Sequence, residues 1–206
     1  MISVIMPTMF VPVGVTSRIK EITSHPLVSE LILIDNTDRL DNLDGEDIPK
    51  LVHIKEGRNT FVNPAWNKGV ALAKEDKLMI INDDVITHFG IIDFMHDLVT
   101  EDKGMIGAGE TCWISPNISP DINEIIHRKP RYGSLFFIHK NSYRPIPEEM
   151  KVWYGDDWLF YKSGKPRYEI TYWPMGGGGS QTVDLPQFNE LKINDGRLWL
   201  NKYINL

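Results

Sequence analysis

Four large apolar residues, Leu78-Met79-Ile80-Ile81, run without interruption into Asn82-Asp83-Asp84. A short apolar run of this kind, closed abruptly by polar residues, reads as a strand buried on both faces, and such strands occur almost only in sheets covered by helices on either side. In open α/β sheets, ligands gather beyond the carboxyl ends of the strands. Two carboxylates leaving such a strand therefore point to a metal and phosphate site, and the alternative is an Asn/Asp turn.

The rest of the first half supplies the alternation of apolar runs and helical stretches that βαβ units require. Strands are predicted at Ile2–Met6, stopped by Pro7, at Leu31–Ile34, at Leu51–Ile54 and at Met105–Ala108. Helices are predicted at Thr16–Thr23, at Pro64–Lys74 with Asn63 as its cap, and at Ile91–Thr100, while Asp38–Pro49 reads as an exposed loop. Beyond Gly109 the order changes. Turn signals at Ser115-Pro116-Asn117 and Ser119-Pro120 precede a strand-like Ser134–Ile138, a helix through Trp158–Tyr161, a strand-like Glu169–Trp173 and a short amphipathic helix from Asn194 to Leu206. The four glycines Gly176–Gly179 are costly to order and read as a lid over the site, with a linker as the alternative. At 206 residues the expectation is one α/β domain with a nucleotide-binding half, 1–109, and an acceptor-side half, 110–206.

Charge is divided unevenly. Residues 1–126 carry a net −10, residues 127–168 a net +5 and residues 169–206 a net −1. The basic stretch includes Arg128, Lys129, Arg131, Lys140, Arg144, Lys165 and Arg167, interleaved with Tyr132, Trp153, Tyr154 and Trp158. It reads either as a polyanion-binding face or as an ordinary solvated one. Cys112 is the single cysteine and cannot form an internal disulfide, so it reads as a small core residue. With no basic leader before Ile2 and no long apolar run, the expectation is a cytoplasmic protein without a membrane span. The strings G-x-G-x-x-G and G-x-x-x-x-G-K-[ST] are absent, which argues against a dinucleotide oxidoreductase and a P-loop enzyme. The segment MFVPVGVTSR is a poor match to the basic, Gly-rich loop of a sugar nucleotidyltransferase.

Three segments, in order, resemble the inverting glycosyltransferases of family 2, which have the GT-A fold: ISVIMPT with LILIDN, NTFVNPAWNKGVALA with IINDDV, and YGDDWLF. Together they span about three quarters of the chain, and the resemblance extends to the small virus-encoded members of the family. The resemblance implies a Rossmann-like nucleotide-binding half with a mixed sheet, and transfer of a sugar from a nucleotide-sugar donor, a UDP-sugar foremost, to an acceptor hydroxyl. It implies that Pro7 and Thr8 border the base, that Asp35 hydrogen-bonds base or ribose, and that Asn67 and Asp83 lie beside the donor. Asp84 would hold a divalent ion, Mn²⁺ or Mg²⁺, and Asp157, or alternatively Asp156, would be the general base. Both aspartates could instead cap the helix that follows. Trp153 and Trp158 would suit the apolar face of a sugar or base.

Two departures stand out. Asn82 replaces the first carboxylate of the family's Asp-x-Asp motif, and no histidine follows His139, where the family often has a metal ligand. The matching stretch is 176–182, with Ser180 or Gln181 as possible diphosphate contacts. The acceptor expected from the basic stretch is DNA carrying a hydroxylated base, and the one expected from the resemblance is a saccharide. A non-catalytic nucleotide or sugar binder of the same fold is the rival reading.

Overall fold

A computed structural model describes residues 1–39, 43–114, 118–177 and 186–204. Its centre is an eight-stranded sheet built from β1 (Ile2–Thr8), β2 (Val28–Asp35), β3 (Leu51–Lys55), β4 (Lys77–Ile81), β6 (Ile106–Ala108), β7 (Asp121–Ile125), β8 (Leu135–His139) and β9 (Arg167–Thr171). The order is β3-β2-β1-β4-β8-β6-β9-β7. The β3/β2/β1/β4 block and the β6/β9 pair are parallel, whereas β8 runs antiparallel to β4 and β6, and β7 to β9. This is a mixed α/β sheet, as expected. It is continuous through residue 109, since β6 and β9 pair directly.

The runs read as doubly buried are so. Val4 and Met6 of β1, Leu31 and Leu33 of β2, and Met79 and Ile81 of β4 pack on one face with Ile19 and Ile22 of helix α1 (Val15–Ser24) and Ile91, Ile92 and Met95 of helix α3 (Ile91–His96). Ile5, Ile32, Ile34, Leu78 and Ile80 pack on the other face with Ala65, Trp66 and Val70 of helix α2 (Val62–Leu72) and Leu159 and Phe160 of helix α4 (Gly155–Lys162). Cys112 lies in the first of these clusters, fully buried.

Several boundaries differ from expectation for physical reasons. Pro7 does not end β1, which continues to Thr8. Thr8 bonds toward β2 through its carbonyl, so Pro7 faces β4, beyond the last β4-paired residue, Ile5, and its missing N–H costs no ladder bond. Asn63 is not a cap. It lies inside α2, fully buried, and its amide donates to the carbonyls of Met150 (3.2 Å) and Trp153 (3.3 Å). Helix α3 ends at His96, short of Thr100. Strand β9 ends at Thr171, where Tyr172 turns the chain with a φ of 60°. Strand β7 and the small hairpin-like sheet of β5 (Val85–Thr87) and β10 (Met175–Gly177) carry no apolar run and escaped the sequence reading. Gly176 and Gly177 therefore belong to a strand rather than a lid; Gly178 and Gly179, like Ser115-Pro116-Asn117, Ser180 and Gln181, lie outside the described residues. The C-terminal helix α5 is Asn189–Leu198, followed by a π-turn over Trp199–Tyr203. No described helix is long and apolar enough to cross a membrane.

Candidate functional site

Because β1 and β4 are parallel neighbours, their carboxyl ends emerge side by side, and a cavity of about 480 Å³ opens there. That size suits a small-molecule ligand. Pro7, Thr8, Asn82, Asp83 and Asp84 line it together with Asn36, Phe61 and Trp66 and with Arg128, Arg131, Trp153, Tyr154, Asp156 and Asp157. The fold thus gathers both aspartate pairs, 73 positions apart in sequence, into one cavity.

At the first pair, the Thr8 hydroxyl donates to Asp83 Oδ2 at 2.6 Å and accepts from the Phe10 N–H. Arg18 of α1 donates to the Asp83 carbonyl and to that of Val13, fixing the turn by its main chain. Burial pushes the Asp83 carboxyl above its ordinary value, opposed by the Thr8 hydrogen bond and reinforced by the Asp84 charge. Asp84 is shifted the same way, again chiefly by burial, against the pull of Arg18 and Arg131. Asn82 Oδ1 and Asp84 Oδ1 are buried without a hydrogen-bond partner among the described residues. An orphaned buried oxygen is costly and implies a missing cation or donor.

At the second pair, Arg128 bridges both carboxylates: Nε donates to Asp157 Oδ1 at 2.7 Å and Nη1 to Asp156 Oδ2 at 3.0 Å. Neither aspartate caps α4 through its side chain, although both sit in its first turn. Burial raises the Asp157 carboxyl, the Asp156 charge raises it further, and Arg128 pulls it down, leaving it above the ordinary range. Burial alone would lower Arg128, but the two carboxylates raise it and keep it charged. Gly133 makes room for the pair, since a Cβ there would lie 2.7 Å from Asp156 Cβ.

The wall at 151–154 is held from behind. Asp195 of α5, 1% exposed, accepts from the N–H groups of Val152 (2.8 Å) and Trp153 (2.9 Å), and Asn63 holds the Trp153 carbonyl. Neither role was legible in sequence, because each depends on partners many residues away. Backbone strain gathers here as well. Six described non-glycine residues have positive φ, and Phe61, Arg131 and Tyr154 among them line the cavity.

Two expected donor contacts lie elsewhere. Asn67 is outside the cavity lining: its amide donates to the Ile146 carbonyl (2.8 Å), and its oxygen accepts from Tyr143 Oη and the Ile146 N–H (both 2.9 Å). A side chain so fully engaged is a brace for the 143–146 segment. Asp35 is fully buried beneath the cavity edge, accepting from the Thr37 N–H and hydroxyl and meeting His53 Nε2 at 3.1 Å; its neighbour Asn36 faces the cavity instead. Trp158 also faces away, donating to the Arg144 carbonyl and packing edge-on against Tyr203. Among the lining residues not expected at the site are Arg128 and Arg131, whose only signal was the basic run that contains them.

The donor set suits a hard divalent ion. Asn82 and Asp84 offer oxygens, and Mg²⁺-type sites commonly use one or two protein oxygens with water and phosphate completing the shell. No group of three or more His, Cys, Asp or Glu residues able to hold a metal occurs among the described residues.

No protein-family model and no curated protein sequence matches the chain. Its likeness to solved structures is one of fold. TarS 1-349 of S. aureus superposes with a TM-score of 0.59 at 13% identity, covering 82% of this chain and 60% of that one. The same protein in complex with UDP gives 0.59 at 10% identity, covering 84% and 59%. This chain thus spans about three fifths of TarS 1-349. HddC from Yersinia pseudotuberculosis, also solved with GMP-PN, superposes at 0.58 with 14% identity, covering 96% of this chain and all of that one. The chain has a mixed α/β fold of the GT-A type.

Proposed function

We propose that the cavity binds a nucleotide-sugar, a UDP-sugar foremost, and that the protein transfers the sugar with inversion to an acceptor hydroxyl. The observation that carries this reading is the convergence of the Asp83–Asp84 and Asp156–Asp157 pairs in one cavity at the carboxyl ends of β1 and β4. The fold likeness to a UDP-bound structure supports the nucleotide assignment.

In this reading Pro7, Thr8 and Asn36 border the nucleotide and Asp83 is held by Thr8 at its edge. Asn82 and Asp84 would hold Mn²⁺ or Mg²⁺, which would offset charge on the diphosphate. Asp157 removes the proton from the acceptor hydroxyl as that oxygen attacks the anomeric carbon, with the sugar–diphosphate bond breaking on the opposite side; Asp156 is the alternate base. Burial favours this role, because it moves the Asp157 carboxyl toward the pH at which a base is useful. Arg128 opposes it, so Asp157 works as a base only when the acceptor weakens that ion pair. A saccharide suits the acceptor side better than DNA. Several cations of the basic stretch are engaged internally: Lys140 on the Ala73 carbonyl, Lys165 on the Glu101 carbonyl, Arg167 over the Phe160 ring and Arg128 on its two carboxylates.

The Arg128 clamp also favours a second reading, a nucleotide or sugar binder in which that triad is a strut. The test common to both is the melting temperature with UDP, GDP, CMP and dTDP, with and without Mn²⁺. A ligand at 100 times its dissociation constant adds about 2.7 kcal/mol, or several degrees at roughly 2–4 °C per kcal/mol. A metal-dependent shift with one nucleotide supports the site, and no shift with any of them sinks it. Sugar transfer abolished by Asp157→Asn with nucleotide binding retained separates the enzyme from the binder.

A further inference from the structure

The cavity lining contains two cations, and their states differ. Arg128 is consumed by Asp156 and Asp157. Arg131 has no hydrogen-bonding or ion-pair partner for its guanidinium among the described residues. That group lies instead over the Trp113 ring, 5.1 Å from the centroid. Its field reaches Asp84, whose carboxyl it pulls downward. A guanidinium resting on an indole keeps all its N–H donors available, and its planar fork matches phosphate oxygens.

The backbone at this position is strained and held. Arg131 has a φ of 59°, a region unfavourable for a long side chain. The next residue, Tyr132, is fully buried, its one hydroxyl proton shared between the carbonyls of Met105 (2.8 Å) and Tyr168 (2.6 Å), while the Arg131 carbonyl accepts from the Ser134 N–H. Strain that persists because its surroundings over-determine it is common where a side chain must be aimed. Here the strained residue is a cation with no carboxylate partner among the described residues, in the same cavity lining as Asn82 and Asp84.

We propose that Arg131 binds the diphosphate of the nucleotide, supplying positive charge that the small donor set of Asn82 and Asp84 leaves short. This rests on the nucleotide reading of the cavity and adds to it that phosphate binding is carried partly by protein charge rather than wholly by a metal ion. Binding of a diphosphate should therefore persist in part when divalent ions are removed.

The test is calorimetric titration in EDTA and in Mn²⁺, with UDP and GDP set against uridine and guanosine. The variants are Arg131→Asn, which removes the charge with a residue tolerant of the left-handed backbone, and Arg131→Lys. Arg131→Asn is expected to weaken the diphosphate by about 10-fold to 100-fold in EDTA, as loss of a charge-assisted contact does, and to leave the nucleoside unchanged. Arg131→Lys should recover part of the loss. Unaltered diphosphate affinity in Arg131→Asn, or an equal loss for nucleoside and diphosphate, would overturn the assignment. A wild-type protein that binds neither diphosphate would instead overturn the nucleotide reading itself.

Discussion

The two aspartate pairs share a cavity and a composition but not a chemistry. Asp83 and Asp84 leave a doubly buried strand, with one carboxylate held by a hydroxyl and an oxygen of the other buried without a partner. Asp156 and Asp157 begin a helix and are both bound to one guanidinium. Burial raises Asp83, Asp84 and Asp157 alike, so burial does not distinguish the pairs. What differs is compensation. A carboxylate oxygen without a partner is a place for a ligand, and a carboxylate already paired must give something up before it reacts.

The sharpest way to break this contrast is kinetic. Asp157→Asn should lower sugar transfer about 100-fold to 10,000-fold, the usual worth of a general base, while Asp84→Asn should act on metal-dependent nucleotide binding. If Asp156→Asn is the damaging change and Asp157→Asn is not, the two exchange roles.

Removing Arg128 tests the second pair by itself. Arg128→Ala leaves two carboxylates facing each other in a poorly solvated place and should cost about 2–3 kcal/mol in urea unfolding, below the figure for a wholly buried pair because the groups are partly exposed. Adding Asp156→Asn and Asp157→Asn should return most of that loss.

Glycine replacements compare how tightly the backbone closes on each pair. A Cβ at Gly177, where φ is 70°, would collide with the Asp84 carbonyl; one at Gly133 would press on the Asp156 side chain. Both Ala variants should lose about 1–3 kcal/mol by overpacking, with Gly177→Ala the worse because it meets a main-chain carbonyl and also needs a left-handed φ.

The smallest effect is one of sign. A carboxyl whose folded value is raised stabilises the fold at pH below its unfolded value, near 3.8, and that contribution is lost as pH rises through the folded value. At neutral pH the charged Asp84 is therefore a cost to the ligand-free protein. Asp84→Asn should raise its melting temperature at pH 7, with the gain vanishing below about pH 4, and should abolish any added stabilisation by Mn²⁺ with nucleotide.

The central strands were legible because a strand buried on both faces must be apolar at every position, and Leu31–Ile34 and Leu78–Ile81 are. Strand β7, with the sequence DINEI, lies at the sheet edge and is largely exposed, so nothing in its composition separates it from a loop. Asn63 resembled a cap for the same reason: an Asn before a Pro is a good local start, and only the carbonyls of Met150 and Trp153 reveal its work. Asn67 was matched by position to a donor contact, yet its amide is fully spent on the 143–146 segment.

Local pattern was enough to place an α/β sheet and to put Asp83 and Asp84 at its carboxyl edge, because strand burial and strand ends are properties of neighbouring residues; the mixed sheet and Thr8 came with the family resemblance. It could not say that Asp156 and Asp157 face that edge, that Arg128 binds both, or that Arg131 has no carboxylate partner among the described residues. Those facts are pairings between residues brought together only when β8 and α4 pack beside β4, and the charge state of a site belongs to such pairings rather than to any segment alone.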